Sequence, residues 1–247
     1  MPVDRWGSNS SPPSSTGSTA AARHGRDALK AFPLRDDALP PAAPGLRIGL
    51  YGGSFNPAHA GHLHVSRTAL RRLRLNRVWW LVTPGNPLKD RGALAPLQAR
   101  VAQARTLASD PRIAVTGFEA MIGSRYTIDT LRWLVRRRPG LRFVWIMGAD
   151  SLGSFHRWRS FEEIMELVPV AVIDRPGHTL TAPAARAAQA FAADRVPEAE
   201  ASSLASRHPP AWTFLHGPRS ELSSTALRNR VPNSAADTAE SARAPTR

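Results

Sequence analysis

Residues 77–83 read Arg-Val-Trp-Trp-Leu-Val-Thr, a strand-length run with no polar alternation. A strand that keeps one face in water alternates polar and apolar residues, so a continuously apolar one must be covered on both faces. Apolar runs at 46–51, 141–147 and 168–173 have the same character, and shorter ones stand at 113–116 and 212–215. Between them lie segments with helical spacing. Residues 61–73 put Leu63, Ala69, Leu70 and Leu73 near one face. Pro96 opens the segment 96–108, and Pro139-Gly140 stops the segment 127–138. A short helix is predicted at 161–167, an alanine-rich one at 181–193, and a loop at 196–210. This alternation predicts an α/β fold: a Rossmann-like, doubly wound parallel sheet of five to six strands with helices on both faces.

Composition narrows the setting. Residues 1–44 are rich in Ser, Pro, Ala and Thr and contain few large apolar residues. Such a segment buries too little surface to offset its ordering entropy. It is expected to be a disordered extension, with one folded domain at 45–230 and a disordered tail at 231–247. No apolar run approaches the roughly 20 residues that cross a bilayer, so no membrane partner is expected. The chain has no cysteine, which excludes disulfides and thiolate metal sites and fits a reducing cytoplasm. The net charge is +14, carried almost wholly by arginine. No dense basic run is interleaved with aromatics, which argues against a nucleic-acid surface. The longest cluster, Arg136-Arg137-Arg138, ends a predicted helix, where it complements the negative helix terminus.

Ligands of doubly wound sheets sit beyond the carboxyl ends of the strands. Chemistry-bearing residues fall at those ends: Gly52 and Gly53 after the first strand, Thr83 after the second, Gly148 and Asp150 after the fourth, Arg175 after the fifth, and Ser223 after the last. The stretch Gly52-Gly53-Ser54-Phe55-Asn56-Pro57-Ala58-His59-Ala60-Gly61-His62 has a phosphate-handling layout of strand, glycine-rich turn and helix start. His59 and His62, three positions apart, could both face a bound anion. An isolated histidine pair is more often an ordinary core or surface pair, but the glycines and the preceding strand favour the anion. A metal site with His64 added has no cysteine or nearby carboxylate to complete it.

This turn is neither a Walker loop nor a Gly-x-Gly-x-x-Gly fingerprint. It resembles the His-x-Gly-His signature of the nucleotidyltransferase superfamily, in the form found in bacterial nicotinate-nucleotide adenylyltransferases. Asn56 stands where Phe-Asp-Pro is a common form. The segment Ser223-Ser224-Thr225-Ala226-Leu227-Arg228 resembles the family's C-terminal Ser-Ser-Thr-x-Ile/Leu-Arg motif. Residues 124–131, with Tyr126 and Thr127, resemble its Ser-Tyr-Thr-x-x-Thr-Leu segment. Gly148–Asp150 with Phe155 and Trp158 resemble its Gly-x-Asp…Phe-x-x-Trp segment. The likeness covers about 46–230 and fails after Arg230, where relatives commonly continue into one more helix.

The resemblance implies adenylyl transfer from ATP to nicotinate mononucleotide, giving deamido-NAD and pyrophosphate, with Mg²⁺ carried on ATP. His59, His62 and Arg228 would be catalytic. Gly52, Gly53, Ser54, Phe55, Gly61, Gly148, Asp150, Ser223, Ser224 and Thr225 would hold ATP. Thr83, Lys89, Tyr126, Thr127, Trp158 and Arg175 would hold the mononucleotide, with Trp158 stacked on the pyridine. Residue type alone leaves plainer roles open: helix caps for Ser223 and Thr127, a core anchor for Trp158, solvated loop charges for Lys89 and Arg175. A sister enzyme acting on nicotinamide mononucleotide or phosphopantetheine is the nearest rival, although His59 argues against phosphopantetheine, whose enzymes usually have Thr there. A non-catalytic basic nucleic-acid-binding protein is the rival of another class. A homo-oligomer is compatible with the sequence.

Overall fold

The computed structural model describes residues 39–85, 94–174 and 184–216. Six strands form one parallel sheet: β1 (Arg47–Gly53), β2 (Arg77–Val82), β3 (Ile113–Thr116), β4 (Arg142–Gly148), β5 (Val170–Ile173) and β6 (Trp212–Leu215). Their order is β3-β2-β1-β4-β5-β6, and every neighbouring pair is parallel. The chain therefore builds outward from β1 to β3, returns to the middle, and builds outward again from β4. The reversal falls between β1 and β4, whose paired residues include Tyr51 with Ile146. A crevice opens at the carboxyl ends of strands flanking such a reversal. Here those ends carry Gly52, Gly53 and Gly148.

The continuous apolar strands behave as their patterning requires. Successive residues point to opposite faces, and both faces are buried. Leu50, Trp79, Leu81, Trp145 and Met147 join one core cluster, whereas Tyr51, Trp80, Val82, Val144 and Ile146 join the other. Helices α1 (Ala60–Arg72) and α2 (Leu97–Leu107) pack into the second cluster through Val65, Ala69, Leu70, Val101 and Ala104. The first cluster takes the one-turn α3 (Phe118–Met121), then α4 (Thr127–Arg137), α5 (Ala149–Phe155), α6 (Phe161–Leu167) and α7 (Arg186–Ala190).

Three segments depart from expectation. The predicted helix at 181–193 is a short α7 followed by a 3₁₀ turn at Ala192–Asp194. Its alanines favour helix but supply little apolar surface to hold a long one. The predicted loop at 196–210 contains a 3₁₀ helix at Glu198–Ser206 that buries Ala201, Leu204 and Ala205. Packing also begins ahead of residue 45, since Leu39 is 5% exposed within the first cluster.

Candidate active site

The turn after β1 is shaped by contacts that leave little freedom. A Cβ on Gly52 would lie 2.5 Å from Cη2 of Trp145 on the adjacent strand, so only glycine fits there. Phe55 has a left-handed backbone (φ +46), a costly conformation for a bulky residue. Its ring is buried, stacked on Trp80 at 5.0 Å and packed on His62 at 4.6 Å. The Asn56-Pro57 bond is cis.

His59 is the N-cap of α1. Its Nδ1 accepts from the Gly61 N–H at 3.1 Å, and His62 Nδ1 accepts from the His59 N–H at 3.1 Å. The two imidazoles thus form a reciprocal capping box, the arrangement usually made by Ser or Thr with Glu. Both Nδ1 atoms accept, so each ring carries its hydrogen on Nε2 and is a donor there. The rings lie 4.0 Å apart, and the residues are 4% and 7% exposed. Two neighbouring Nε2 donors at a helix start, on rings tilted by 51°, suit two oxygens of a bound phosphate chain. Ser66 Oγ donates to the His62 carbonyl and accepts from Trp80 Nε1 at 2.7 Å, which anchors the histidine turn to β2.

A buried guanidinium sits behind this turn. Arg100, on the first turn of α2, is 1% exposed. Its Nη1 donates to the Ser54 carbonyl at 2.6 Å and the Thr83 carbonyl at 2.9 Å, and its Nε to the Ala95 carbonyl at 2.8 Å. Burial lowers its pKa from the ordinary arginine value. Among the described residues no carboxylate pairs with it. Asn56 Oδ1 accepts from the Ala95 N–H at 3.3 Å, a role that a carboxylate oxygen fills equally well. The departure from Phe-Asp-Pro keeps the acceptor.

A second polar group lies on the other side of Thr83. Glu119, on α3, is 7% exposed. Burial pushes its carboxyl up to about 7, against hydrogen bonds from Thr130 and Thr83 that pull it down. Glu119 Oε1 and Thr130 Oγ1 are 2.9 Å apart, Thr130 Oγ1 and Ser124 Oγ are 3.2 Å apart, and Ser124 Oγ donates to the Tyr126 carbonyl at 2.9 Å. With Glu119 protonated, each hydroxyl in this line can accept once and donate once. The line ends at Tyr126, the N-cap of α4, which makes no side-chain cap bond. Thr127 is the first helical residue rather than the cap, so its hydroxyl is not used for capping.

Trp158 lies half-buried in the turn between α5 and α6. Its indole meets Trp145 edge-on at 6.2 Å and Phe155 at 5.3 Å. Trp145 also touches Gly52, so one indole bridges the histidine turn and Trp158. Arg159 stacks on the Tyr126 ring, 4.8 Å from its centroid, and Arg132 of α4 pairs with Glu163 of α6 through two bonds of 2.6 and 2.5 Å. Those contacts bring the start of α4 to the Trp158 turn.

The structure therefore gathers His59, His62, Gly52, Gly53, Ser54, Phe55, Gly61, Thr83, Tyr126, Thr127, Gly148 and Trp158 around the carboxyl ends of β1, β2 and β4. Asp150 lies exposed on the first turn of α5. Lys89, Arg175, Ser223, Ser224, Thr225 and Arg228 lie outside the described residues. Arg100 and Glu119 were not anticipated. Among the described residues no three His, Cys, Asp or Glu side chains gather as a metal site, and no helix is long and apolar enough to cross a membrane.

A doubly wound sheet with a paired-histidine helix start at its reversal defines a nucleotidyltransferase-type site. Comparison with known proteins agrees, because residues 50–230 match the model of the cytidylyltransferase-like family. A Methylorubrum extorquens protein named "Probable nicotinate-nucleotide adenylyltransferase" is 82% identical over 185 residues, covering 75% of this chain and all of that one. A protein of the same name from Agrobacterium fabrum is 57% identical over 182 residues, 74% of this chain and 97% of its own. The chain belongs to the nicotinate-nucleotide adenylyltransferase family. Among solved structures, the Plasmodium falciparum nicotinic acid mononucleotide adenylyltransferase complexed with NaAD aligns with a TM-score of 0.55 at 17% identity. That alignment covers 74% of this chain and 83% of the other, and it shows the shared fold.

Proposed function

We infer that this protein is a nicotinate-nucleotide adenylyltransferase, which joins ATP and nicotinate mononucleotide into deamido-NAD with release of pyrophosphate, a step of NAD biosynthesis. The observation that carries the reading is the reciprocal histidine box, which holds two Nε2 donors side by side at a helix start. A phosphate oxygen of the mononucleotide attacks the α-phosphorus of ATP; that P–O bond forms as the bond to the β-phosphate oxygen breaks, and pyrophosphate leaves. The attacking phosphate is already ionised, so no protein nucleophile is required. Catalysis then consists of positioning and stabilisation of charge on the transferring group.

In this reading His59 and His62 donate to phosphate oxygens of ATP, and the turn from Gly52 to Phe55 with Gly61 gives the nucleotide room to approach the backbone. Gly148 and Asp150 face the same nucleotide. Ser223, Ser224, Thr225 and Arg228 hold the outer phosphates, on the strength of their motif. Mg²⁺ enters with ATP as part of the substrate, with phosphate oxygens as its main ligands. Thr127, at a helix start whose first amides have no partner within the helix, takes the nicotinate carboxylate. Trp158 offers its face to the pyridine, and Thr83, Tyr126, Lys89 and Arg175 complete the mononucleotide side. The domain 45–230 carries the reaction, and its cysteine-free composition suits the cytoplasm.

The test is pyrophosphate release from MgATP by purified protein. Release that depends on added nicotinate mononucleotide, with a dinucleotide product, is expected. Salt-sensitive RNA or DNA binding without such release would replace this reading with the nucleic-acid one.

A further inference from the structure

We propose that Arg100 is a positioning residue of the transfer step: by holding the Ser54 and Thr83 carbonyls on one guanidinium nitrogen, it sets the spacing between the turn that receives the triphosphate and the strand end that receives the mononucleotide. The proposal rests on the function inferred above and assigns a new role within that site.

The geometry is specific. Ser54 belongs to the loop after β1, and Thr83 follows β2. Both carbonyls lie within 2.9 Å of the same Nη1 atom. The third partner, the Ala95 carbonyl at 2.8 Å, fixes the guanidinium to the start of its own helix. The Ala95 N–H reaches Asn56 on the first loop at 3.3 Å, so the head of α2 grips that loop at two points. Thr83 is also paired to the first strand, its N–H donating to the Gly53 carbonyl at 3.0 Å. One planar, forked cation thus joins two loops that parallel strands would otherwise leave free to part beyond their last ladder bond.

A guanidinium is suited to this task. Its donors have fixed directions, whereas an ammonium presents rotatable donors on a flexible stem. Among the described residues the partners of this buried cation are carbonyls and no carboxylate, an arrangement that is costly and needs a reason. A site built for a polyanion supplies one, because ATP brings negative charge to the turn that Arg100 braces from behind. In-line transfer is sensitive to the separation of attacking oxygen and phosphorus, and a misplacement of about 1 Å can cost on the order of 10²-fold in rate.

A plain structural role makes a different forecast. If Arg100 only satisfied buried carbonyls, its loss would lower the melting temperature and leave turnover per folded molecule unchanged. The experiment compares Arg100→Gln and Arg100→Lys with the wild type in Tm, kcat and the KM of each substrate. The expected result is a fall in kcat of about 10²-fold for Arg100→Gln and about 10-fold for Arg100→Lys, with both KM values within about threefold. The graded loss reports the fork as well as the charge. Unchanged kcat in both folded variants, or a change confined to KM, would overturn the proposal. If Arg100→Gln does not fold, Arg100→Lys alone decides, and failure of both to fold would mark the residue as structural. An inactive wild type would overturn the functional reading together with this role, whereas an active wild type whose variants keep kcat overturns the role alone.

Discussion

In the proposed mechanism the side chain of His62 is both a helix cap and a phosphate donor. Its Nδ1 caps the His59 N–H, and the proposal assigns its Nε2 to the substrate. His62→Ala should therefore lower kcat by on the order of 10²-fold, as for loss of one charge-stabilising donor. Loss of the cap bond should cost only about 1 kcal/mol of stability. Near-normal turnover in folded His62→Ala would remove the histidine from the mechanism. Glu119 makes a prediction of another kind. Burial raises its folded-state pKa from the usual 4.5 to about 7, so the folded protein holds that proton more tightly than the unfolded chain. The contribution to stability is complete below about 4.5 and is lost as pH rises through about 7, a change on the order of 3 kcal/mol. Glu119→Gln can still donate to Thr130, as the protonated carboxyl does, and cannot ionise. Its melting temperature should gain on the wild type between pH 5 and 8, and parallel pH profiles would contradict the assignment.

At the scale of elements, the proposed mononucleotide side depends on how α4, α5 and α6 meet. Trp158 packs edge-on against Trp145 and Phe155, which fixes the plane of its indole. Trp158→Ala should raise the KM for the mononucleotide by about 3- to 10-fold, the worth of one aromatic contact, with the KM for ATP unchanged. A shift confined to ATP would put the pyridine elsewhere. The elements themselves were unequally visible in the sequence. The segments 113–116 and 212–215 coincide with β3 and β6, because apolar runs bounded by breakers leave few alternatives, and 161–167 coincides with α6, whose Phe161, Ile164 and Met165 keep helical spacing among the glutamates. The one-turn α3 is too short to show a helical period, and α5 carries Gly153 and two serines, which weaken its helical signal. Glu119 lies on the first of these, and no local pattern marks it. Arg100 did leave a trace. Leu97, Val101 and Ala104 make an apolar stripe on α2, and Arg100 stands on it, three residues after Leu97 and four before Ala104. A charge on an apolar stripe has either a buried partner or a task, and only the fold reveals the Ser54 and Thr83 carbonyls beside it.

For the whole molecule, the reversal of strand order puts the histidine turn, the Thr83 strand end and the Trp158 turn around one crevice. In the proposed function the motif after β1 handles the triphosphate, and the start of α4 with Trp158 selects the second substrate. Hydrogen bonds run from Ser54 through Arg100 to Thr83, and Glu119 then links Thr83 to Thr130, Ser124 and Tyr126. The two sides of the crevice are therefore braced by one polar framework, with Trp145 forming an apolar bridge from Gly52 to Trp158. The central claim is that this crevice joins ATP to a pyridine mononucleotide bearing a carboxylate. Its most direct test is kcat/KM for nicotinate and for nicotinamide mononucleotide, each with MgATP, measured side by side by dinucleotide formation. The account predicts at least about fivefold preference for the acid, because a helix start favours an anion over a neutral amide by roughly 1 kcal/mol or more. Equal use of both, preference for the amide, or no dinucleotide from either would contradict it.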